Sequence, residues 1–145
     1  MQELTEIRFY DILSHTGGSI MKSNESSEDY LETILMLSKK LPVVRSVDIA
    51  TELGYKKSSI SVAMKKLREN GEITVTDAGF IYLTDEGKAH AEKIYERHVF
   101  FTDFLTGLGV DPKTAEDDAC RIEHVLSEES YNAMKNHIEK TLNAV

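Results

Sequence analysis

Cysteine, proline and tryptophan are scarce in this sequence, whose 145 residues include one cysteine, two prolines and no tryptophan. A lone cysteine cannot form an internal disulfide and is compatible with a reducing cytosol. No apolar run approaches the roughly 20 residues that span a bilayer. The N-terminus also lacks the charged head, apolar stretch and cleavage site of an export signal. These absences predict a cytoplasmic protein with no membrane partner.

Charge of one sign dominates the average but not every region. The net charge is −8, which by itself argues against nucleic-acid binding. Residues 39–68 nevertheless contain eight basic side chains and two acidic ones, a local charge of +6, so the remainder carries −14. A phosphate-binding surface requires such segregation of charge. A solvated helical face would give the same count, and this alternative stays open.

The first residues show no pattern of a stable element. Gly17-Gly18-Ser19 would break any helix begun before it, and Met21 follows directly. We interpret residues 1–22 as an N-terminal extension, with Met21 as an alternative natural start. A helix is predicted from Ser26, where serines can cap and acidic residues follow, and it should end before Pro42.

Two short helices joined by a tight turn come next, an arrangement typical of a helix-turn-helix. Ser46 is the expected cap of the first helix and Ser58 of the second, which Gly71 ends. A second helix of this kind reads base edges and phosphates from its N-terminal half. Val62 suits a thymine methyl, although an isolated exposed apolar residue is also common. The predicted DNA-binding residues are Arg45, Lys56, Lys57, Ser58, Ser59, Ser61, Val62, Lys65 and Lys66.

A predicted hairpin follows the helix-turn-helix. Two β-rich runs, residues 73–76 and 80–83, flank Asp77-Ala78-Gly79, where glycine supplies the left-handed residue of a three-residue turn. A hairpin in this place is the wing of a winged helix. Thr84 is then the expected cap of a long helix reaching about Leu108.

The remaining helices are rich in aromatic residues. Asp111-Pro112 begins a helix predicted to end near Leu126, and Ser127 opens a last amphipathic helix. Such helices suit self-association, for example in a homodimer, although a private core would have the same periodicity. The predicted fold class is mainly α with a small β wing. A winged helix-turn-helix DNA-binding domain occupies residues 23–88, and an all-helical dimerisation and metal-binding domain occupies residues 89–145.

The run Cys120-Arg121-Ile122-Glu123-His124 combines three kinds of metal ligand. A thiol, a carboxylate and an imidazole at positions i, i+3 and i+4 share one face of a helix, and such groups hold first-row transition metals. Alternatively, the cysteine is a small buried apolar residue and the other two are solvated. Asp29 and Glu32 also lie at i, i+3, and His98 lies on the long helix. Only a fold can bring these six donors together.

Five segments, taken in order, resemble a known family. They are Glu28-Asp29-Tyr30-Leu31-Glu32, Ser58-Ser59-Ile60-Ser61, Leu83-Thr84-Asp85-Glu86-Gly87-Lys88, Arg97-His98 and Cys120-Arg121-Ile122-Glu123-His124-Val125-Leu126-Ser127. Over about residues 25–140 the chain resembles the DtxR/MntR family of metal-dependent repressors. The resemblance implies a winged helix followed by a helical dimerisation domain, with metal bound between them. It also implies repression of metal-homeostasis genes when metal is plentiful.

Carried over residue by residue, the resemblance implies metal ligands at Asp29, Glu32, His98, Cys120, Glu123 and His124. All but Cys120 match the manganese-sensing branch, and Cys120 matches the iron-sensing branch. Thr102 stands where a carboxylate is expected one turn after His98, and Glu116 replaces a histidine of an ancillary site. We therefore expect one well-formed metal site rather than two identical ones. The number of ions bound per chain is predicted to be one or two.

The donor set suits Mn²⁺ or Fe²⁺, because carboxylates and imidazoles bind both while the thiolate favours softer metals. Asp29 gives Mn²⁺ a slight preference. Without metal the acidic donors should repel one another and let the two domains move. With metal they should pin the DNA-binding domain to the dimer core. The expected partner is double-stranded DNA with a palindromic operator.

Other classes of function fit parts of the pattern. An enzyme would use Cys120 as nucleophile and His124 as base, but helical side chains four apart seldom come with an oxyanion hole. No Gly-rich phosphate loop or H-E-x-x-H pair is present either, and we predict no enzymatic activity. A winged-helix regulator that answers a non-metal ligand or none, with a structural polar cluster, stays open. A metal-buffering protein with a solvated basic face also stays open.

Overall fold

The computed structural model describes residues 23–144, with side chains from residue 27 onward, so the predicted extension at residues 1–22 lies outside it. Six helices and one two-stranded sheet make up this described part. Their order is α1 (Ser23–Lys40), α2 (Ser46–Leu53), α3 (Lys57–Glu69), β1 (Ile73–Val75), β2 (Ile81–Leu83), α4 (Asp85–Gly107), α5 (Pro112–Ile122) and α6 (Glu128–Asn143). The predicted fold class, mainly α with a small β wing, is confirmed. Every helix in residues 23–144 falls short of the length and apolar content that a membrane span requires.

The chain divides into two compact units at residues 94 and 95, inside α4. In the first unit each of five elements contributes one isoleucine to the core. Ile34, Ile49, Ile60, Ile73 and Ile81 are all 2% exposed or less. Full burial of such a side chain contributes about 1.5–3 kcal/mol. These residues therefore fix α3 in place relative to α1, α2 and the sheet.

The wing is a regular antiparallel hairpin in which Ile73 pairs with Leu83. Gly79 has a φ of 83°, which a residue with a side chain rarely adopts, and this matches the predicted turn. The amide of Ile81 donates to the carbonyl of Val44 at 2.8 Å. That bond ties the sheet to the segment before α2.

The start of α4 packs directly against the start of the hairpin. Thr84 Oγ1 accepts from the amide of Gly87 at 3.1 Å and donates to the carbonyl of Gly71 at 2.7 Å, which confirms the predicted cap. A Cβ on Gly87 would lie 1.9 Å from the carbonyl oxygen of Glu72, so only glycine permits this approach. His90 Nδ1 lies 2.7 Å from Glu72 Oε1, which adds a second contact between α4 and the residue before β1.

The predicted serine caps of α2 and α3 are wrong. Arg45 and Lys56 are the N-cap residues, and neither side chain caps its helix; Ser46 is already helical, and α3 begins at Lys57. At the start of α2, Asp48 Oδ2 accepts from the amide of Arg45 at 2.8 Å, so the amide of the N-cap residue has a partner. Capping preference cannot decide which residue of a short loop has the extended backbone.

The second unit has a small core between α4, α5 and α6. Phe101, Ala119 and Tyr131 are buried there, and Phe100, Ile122 and Leu126 pack against them. The predicted caps are confirmed, because Asp111 Oδ2 accepts from Thr114 N and Ser127 Oγ accepts from Ser130 N. Two predicted ends are wrong: α1 begins at Ser23 rather than Ser26, and α5 ends at Ile122 rather than near Leu126.

Candidate metal centre and nucleic-acid interface

Three of the predicted metal ligands converge in the second unit. His98 lies on α4 and is 2% exposed, Cys120 lies in the last turn of α5, and Glu123 follows that helix and is 1% exposed. Their donor atoms all lie within 4.8 Å of one another. Glu123 Oε2 is 2.9 Å from His98 Nδ1, and Cys120 Sγ is 3.8 Å from the same nitrogen. One sulfur, one nitrogen and one oxygen donor therefore meet in the interior.

The packing of α4 on α5 explains this meeting. Phe101 and Ala119 belong to one buried cluster, so these helices are in contact at that level. His98 lies three residues before Phe101 and therefore on the same face of α4. Cys120 directly follows Ala119, and Glu123 comes one turn later. The apolar core thus positions the three candidate ligands.

The state of the Glu123 carboxylate favours a cation at this point. Its Oε1 is buried and has no hydrogen-bond partner among the described residues. His124 Nε2 lies 3.1 Å away and forms an ion pair with this oxygen when the imidazole is protonated. A buried carboxylate oxygen without a donor costs free energy. Thiolate, imidazole and carboxylate are also ligands of first-row transition metals, so the residues present fit such an ion.

His124 does not lie on the helix that was predicted to carry it. Glu123 is the C-cap of α5, and its amide still donates to the carbonyl of Ala119 at 3.0 Å, so it keeps a helical direction. The chain then leaves the helix in a turn that contains His124. The prediction that these side chains share one helix face is therefore right for Cys120 and Glu123. The third, His124, is positioned by the turn.

Asp29 and Glu32 lie in the first unit, one turn apart on α1 and hence on one face. Glu32 is buried at 2% exposure and Asp29 is half-buried. Burial raises the pKa of the Tyr55 phenol, and the negative charge of Asp29 raises this pKa further. Asp29 therefore lies near the Tyr55 phenol. That these two carboxylates and the donors of the second unit bind one ion is a proposal.

Two positions depart from a second site of the family type. Thr102, one turn after His98, offers a hydroxyl whose oxygen is buried without a hydrogen-bond partner in the described chain. Glu116 is 6% exposed on α5. Within the described part of the second unit, the group of three donors whose ligand atoms lie within 4.8 Å of one another is His98, Cys120 and Glu123. It contains neither Thr102 nor Glu116.

The predicted DNA-binding residues form an exposed surface on α3 and the segment before it. Ile60, Met64 and Leu67 bury the opposite face of α3. Val62 is 72% exposed and stands in the middle of the outer face. Lys65 makes one ion pair, 4.0 Å long and fully on the surface, and pairs of that kind contribute little. All nine residues are exposed: Arg45, Lys56, Lys57, Ser58, Ser59, Ser61, Val62, Lys65 and Lys66.

Arg45 lies apart from α3, beside the wing. Its guanidinium stacks over the ring of Phe80, 4.8 Å from the ring centre. A cation over an aromatic face is held there by about 0.5–1 kcal/mol at exposed sites. This contact directs an exposed positive charge toward the hairpin side of the surface.

Arg97 is a residue to which the sequence alone assigned no role. Its Nη1 donates to the carbonyl of Leu126 at 2.8 Å and to that of Glu123 at 3.3 Å. Its guanidinium also lies over the ring of Tyr131, 5.0 Å from the centre. Burial raises the pKa of Tyr131, and the nearby Glu96 adds to the effect. The one available signal was that the last carbonyls of α5 need partners from elsewhere.

An apolar groove runs along the outside of the second unit. Its lining comes from α4, the turn that follows it and α6, and includes Phe100, Phe104, Leu108, Met134, Ile138 and Leu142. Leu108 is 67% exposed and Leu142 is 71% exposed. Contiguous exposed apolar surface of this kind marks an interaction site.

Two family models match the chain in succession. The N-terminal DNA binding domain of the iron dependent repressors matches residues 22–77. The iron dependent repressor, metal binding and dimerisation domain matches residues 84–142. The chain belongs to the iron-dependent repressor family. A member of this family is a metal-dependent transcriptional repressor and not an enzyme, which confirms both predictions.

Individual relatives agree with this assignment. An uncharacterised HTH-type transcriptional regulator of Methanocaldococcus jannaschii is 34% identical over 122 residues, which are 81% of this chain and 95% of that protein. The transcriptional regulator MntR of Escherichia coli O157:H7 is 34% identical over 116 residues, 80% of this chain and 75% of that protein. A solved manganese-dependent transcriptional repressor in complex with manganese has a TM-score of 0.70 and 26% identity. That match covers 78% of this chain and 52% of the solved chain.

Proposed function

We propose that this repressor acts in the cytoplasm on metal-homeostasis genes, and that it binds a palindromic operator as a homodimer when Mn²⁺ or Fe²⁺ is bound. The observation that carries the proposal is the buried meeting of His98, Cys120 and Glu123. The same chain exposes a basic surface on α3. We assign residues 23–88 to DNA binding, and residues 89–145 to metal binding and dimerisation.

Six side chains would hold the ion. They are Asp29, Glu32, His98, Cys120, Glu123 and His124. A divalent cation supplies the positive charge that offsets the repulsion among the three carboxylates and the thiolate. The carboxylates and imidazoles favour Mn²⁺, and a solved relative binds manganese. Cys120 keeps Fe²⁺ as the second candidate, and a hydroxyl at Thr102 favours one ion per chain over two.

The donors divide between the two units, which suggests how metal controls DNA binding. Asp29 and Glu32 belong to α1 and therefore to the DNA-reading unit, whereas the other four belong to the second unit. Without a bound cation, the negative charges of these groups repel one another, and the first unit is free to move. When a bound cation balances these charges, Asp29 and Glu32 hold α1 in the arrangement that binds DNA. DNA must then tighten metal binding by the same factor.

The remaining surfaces complete a dimeric repressor. The groove between α4 and α6 would be covered by a second copy of the chain, which removes its exposed leucines from water. Each copy would place α3 in a major groove, and the two half-sites would lie about 34 Å apart. Lys56, Lys57, Lys65 and Lys66 would neutralise phosphates, so affinity should fall with added salt.

A gel-shift titration of Glu123→Ala tests the proposal. The operator is first selected from random-sequence DNA with the wild-type protein and Mn²⁺. We expect Mn²⁺ to raise the operator affinity of the wild type by about 5–150-fold, the usual range of coupling between two sites. Glu123→Ala should lose this response. The control is Glu129→Ala, which removes an exposed carboxylate outside the cluster and should respond as the wild type does. An Mn²⁺ response that survives in Glu123→Ala would reject the proposed site.

A further inference from the structure

Two proposed ligands lie where the chain leaves α5 and enters the following turn. Glu123 is the C-cap of α5, and His124 lies in the turn that follows. The carbonyls at the end of a helix have no partner inside that helix. Their orientation therefore depends on donors from other elements.

Arg97 supplies such donors from α4. Its Nη1 donates at 3.3 Å to the carbonyl of Glu123 and at 2.8 Å to the carbonyl of Leu126. The first carbonyl precedes His124 and the second lies two residues after it. Arg97 thus binds the backbone on both sides of His124, while its neighbour His98 reaches the Glu123 carboxylate.

A third contact fixes the guanidinium itself. It lies over the ring of Tyr131, 5.0 Å from the centre, and Tyr131 is 6% exposed in the core of the second unit. A guanidinium is planar and can donate several bonds while one face stacks on an aromatic ring. A lysine ammonium is a point charge on a flexible stem and cannot reproduce both contacts. The geometry therefore depends on arginine rather than on positive charge alone.

We propose that Arg97 is a positioning residue of the metal centre. It holds the turn so that the side chains of Glu123 and His124 are directed at the ion before the ion binds. This inference rests on the proposed function, because it assumes that these side chains are ligands. Groups that orient metal ligands typically contribute about 10–100-fold in metal affinity. Arg97 should contribute within that range.

The test compares three single substitutions of the full-length protein. Arg97→Met keeps an unbranched apolar stem but removes every hydrogen-bond donor, and Arg97→Lys keeps the charge. Arg121→Met is the matched control. It removes the same charge one residue after Cys120, but Arg121 is exposed and binds Asp117 and Asp118 rather than the turn. Mn²⁺ affinity is measured by competition with a fluorescent chelator. The thermal midpoint of the metal-free protein and the thiolate-to-Co²⁺ absorption of the Co²⁺ form are measured in parallel.

We expect Arg97→Met to bind Mn²⁺ about 10–100-fold more weakly and to show altered Co²⁺ absorption. Arg97→Lys should regain part of the affinity, and Arg121→Met should equal the wild type. If Arg97→Met lowers only the metal-free thermal midpoint and binds Mn²⁺ as tightly as the wild type, the positioning role is wrong. If Arg97→Met does not fold, Arg97→Lys decides by the same comparison. A wild type that binds neither Mn²⁺ nor Co²⁺ would instead overturn the proposed function.

Discussion

The two units differ in the make-up of their apolar cores and in where their exposed apolar residues lie. In the first unit, five elements each place an isoleucine in a core that is 2% exposed or less. In the second unit the core is small, and Leu108 and Leu142 remain 67% and 71% exposed. A continuous exposed apolar groove marks an interaction site. The second unit therefore has the surface of a dimerisation module.

The units also differ in how they use charge. The first unit keeps the lysines of α3 exposed, where they can meet phosphates in water. The second unit buries His98 and Glu123 together, away from solvent. Charges attract more strongly at low dielectric, so a buried cluster suits one small ion while an exposed one suits a polyanion. The burial of the charged side chains, more than their residue type, distinguishes the candidate metal site from the candidate DNA-binding surface.

The largest predicted effect concerns the small core of the second unit. Phe101→Ala removes a ring that is 2% exposed and should lower the free energy of unfolding by about 3–5 kcal/mol. Phe104→Ala is the matched control, because the same residue one turn later lines the groove and is only half-buried. Urea unfolding measures both. Equal losses would mean that the groove is as much a core as the buried cluster.

A second prediction uses two glycines of one helix. Gly87→Ala would place a Cβ 1.9 Å from the carbonyl oxygen of Glu72, and overpacking of this kind costs about 1–3 kcal/mol or more. Gly107→Ala, at the end of the same helix, meets no atom within 4 Å. Alanine is favoured over glycine inside helices by up to about 1 kcal/mol, so Gly107→Ala should be neutral or slightly stabilising. Thermal unfolding checks the pair, and a harmless Gly87→Ala would contradict the close contact between α4 and the hairpin.

The sequence predicted the elements because their signals are local. Apolar periodicity, the turn at Gly79 and the side-chain caps Thr84, Asp111 and Ser127 each involve a few neighbouring residues, and the structure confirms them. The predicted end of α5 near Leu126 failed for the opposite reason. The bonds that replace the helix there come from Arg97, more than 25 residues earlier, as the separations of 26 and 29 positions record.

The candidate site was predictable in kind but not in arrangement. Cys120 and Glu123 do share a helix face, since one turn separates them. Their meeting with His98 needs α4 and α5 to pack through Phe101 and Ala119, and no local pattern contains that contact. Residue types, partly through the family resemblance, indicated the proposed ligands. The orienting contacts of Arg97 became visible only in three dimensions.

A third prediction tests the proposal that the second unit is completed by its copy. Leu108→Asp places a charge in the apolar groove and should weaken dimerisation by about tenfold or more, which is about 1.4 kcal/mol. The control is Thr106→Asp, which adds the same charge two residues earlier at an exposed position outside the groove lining. Analytical ultracentrifugation over a concentration series measures both. A Leu108→Asp dimer as stable as that of the wild type would show that the groove is not the interface.

The smallest predicted effect lies on the basic surface of the first unit. Lys66→Gln removes one exposed charge of α3 and should reduce the slope of log affinity against log salt by about 1, as the loss of one phosphate contact does. Because phosphate contacts carry no base information, the affinity should fall by a similar factor on the selected operator and on random-sequence duplex. Lys88→Gln removes another exposed lysine, on α4 and outside the basic segment, and should leave the slope unchanged. If both variants lower the slope equally, DNA responds to the net charge of the protein rather than to the surface of α3, and the contrast between the two units would lose its meaning for DNA binding.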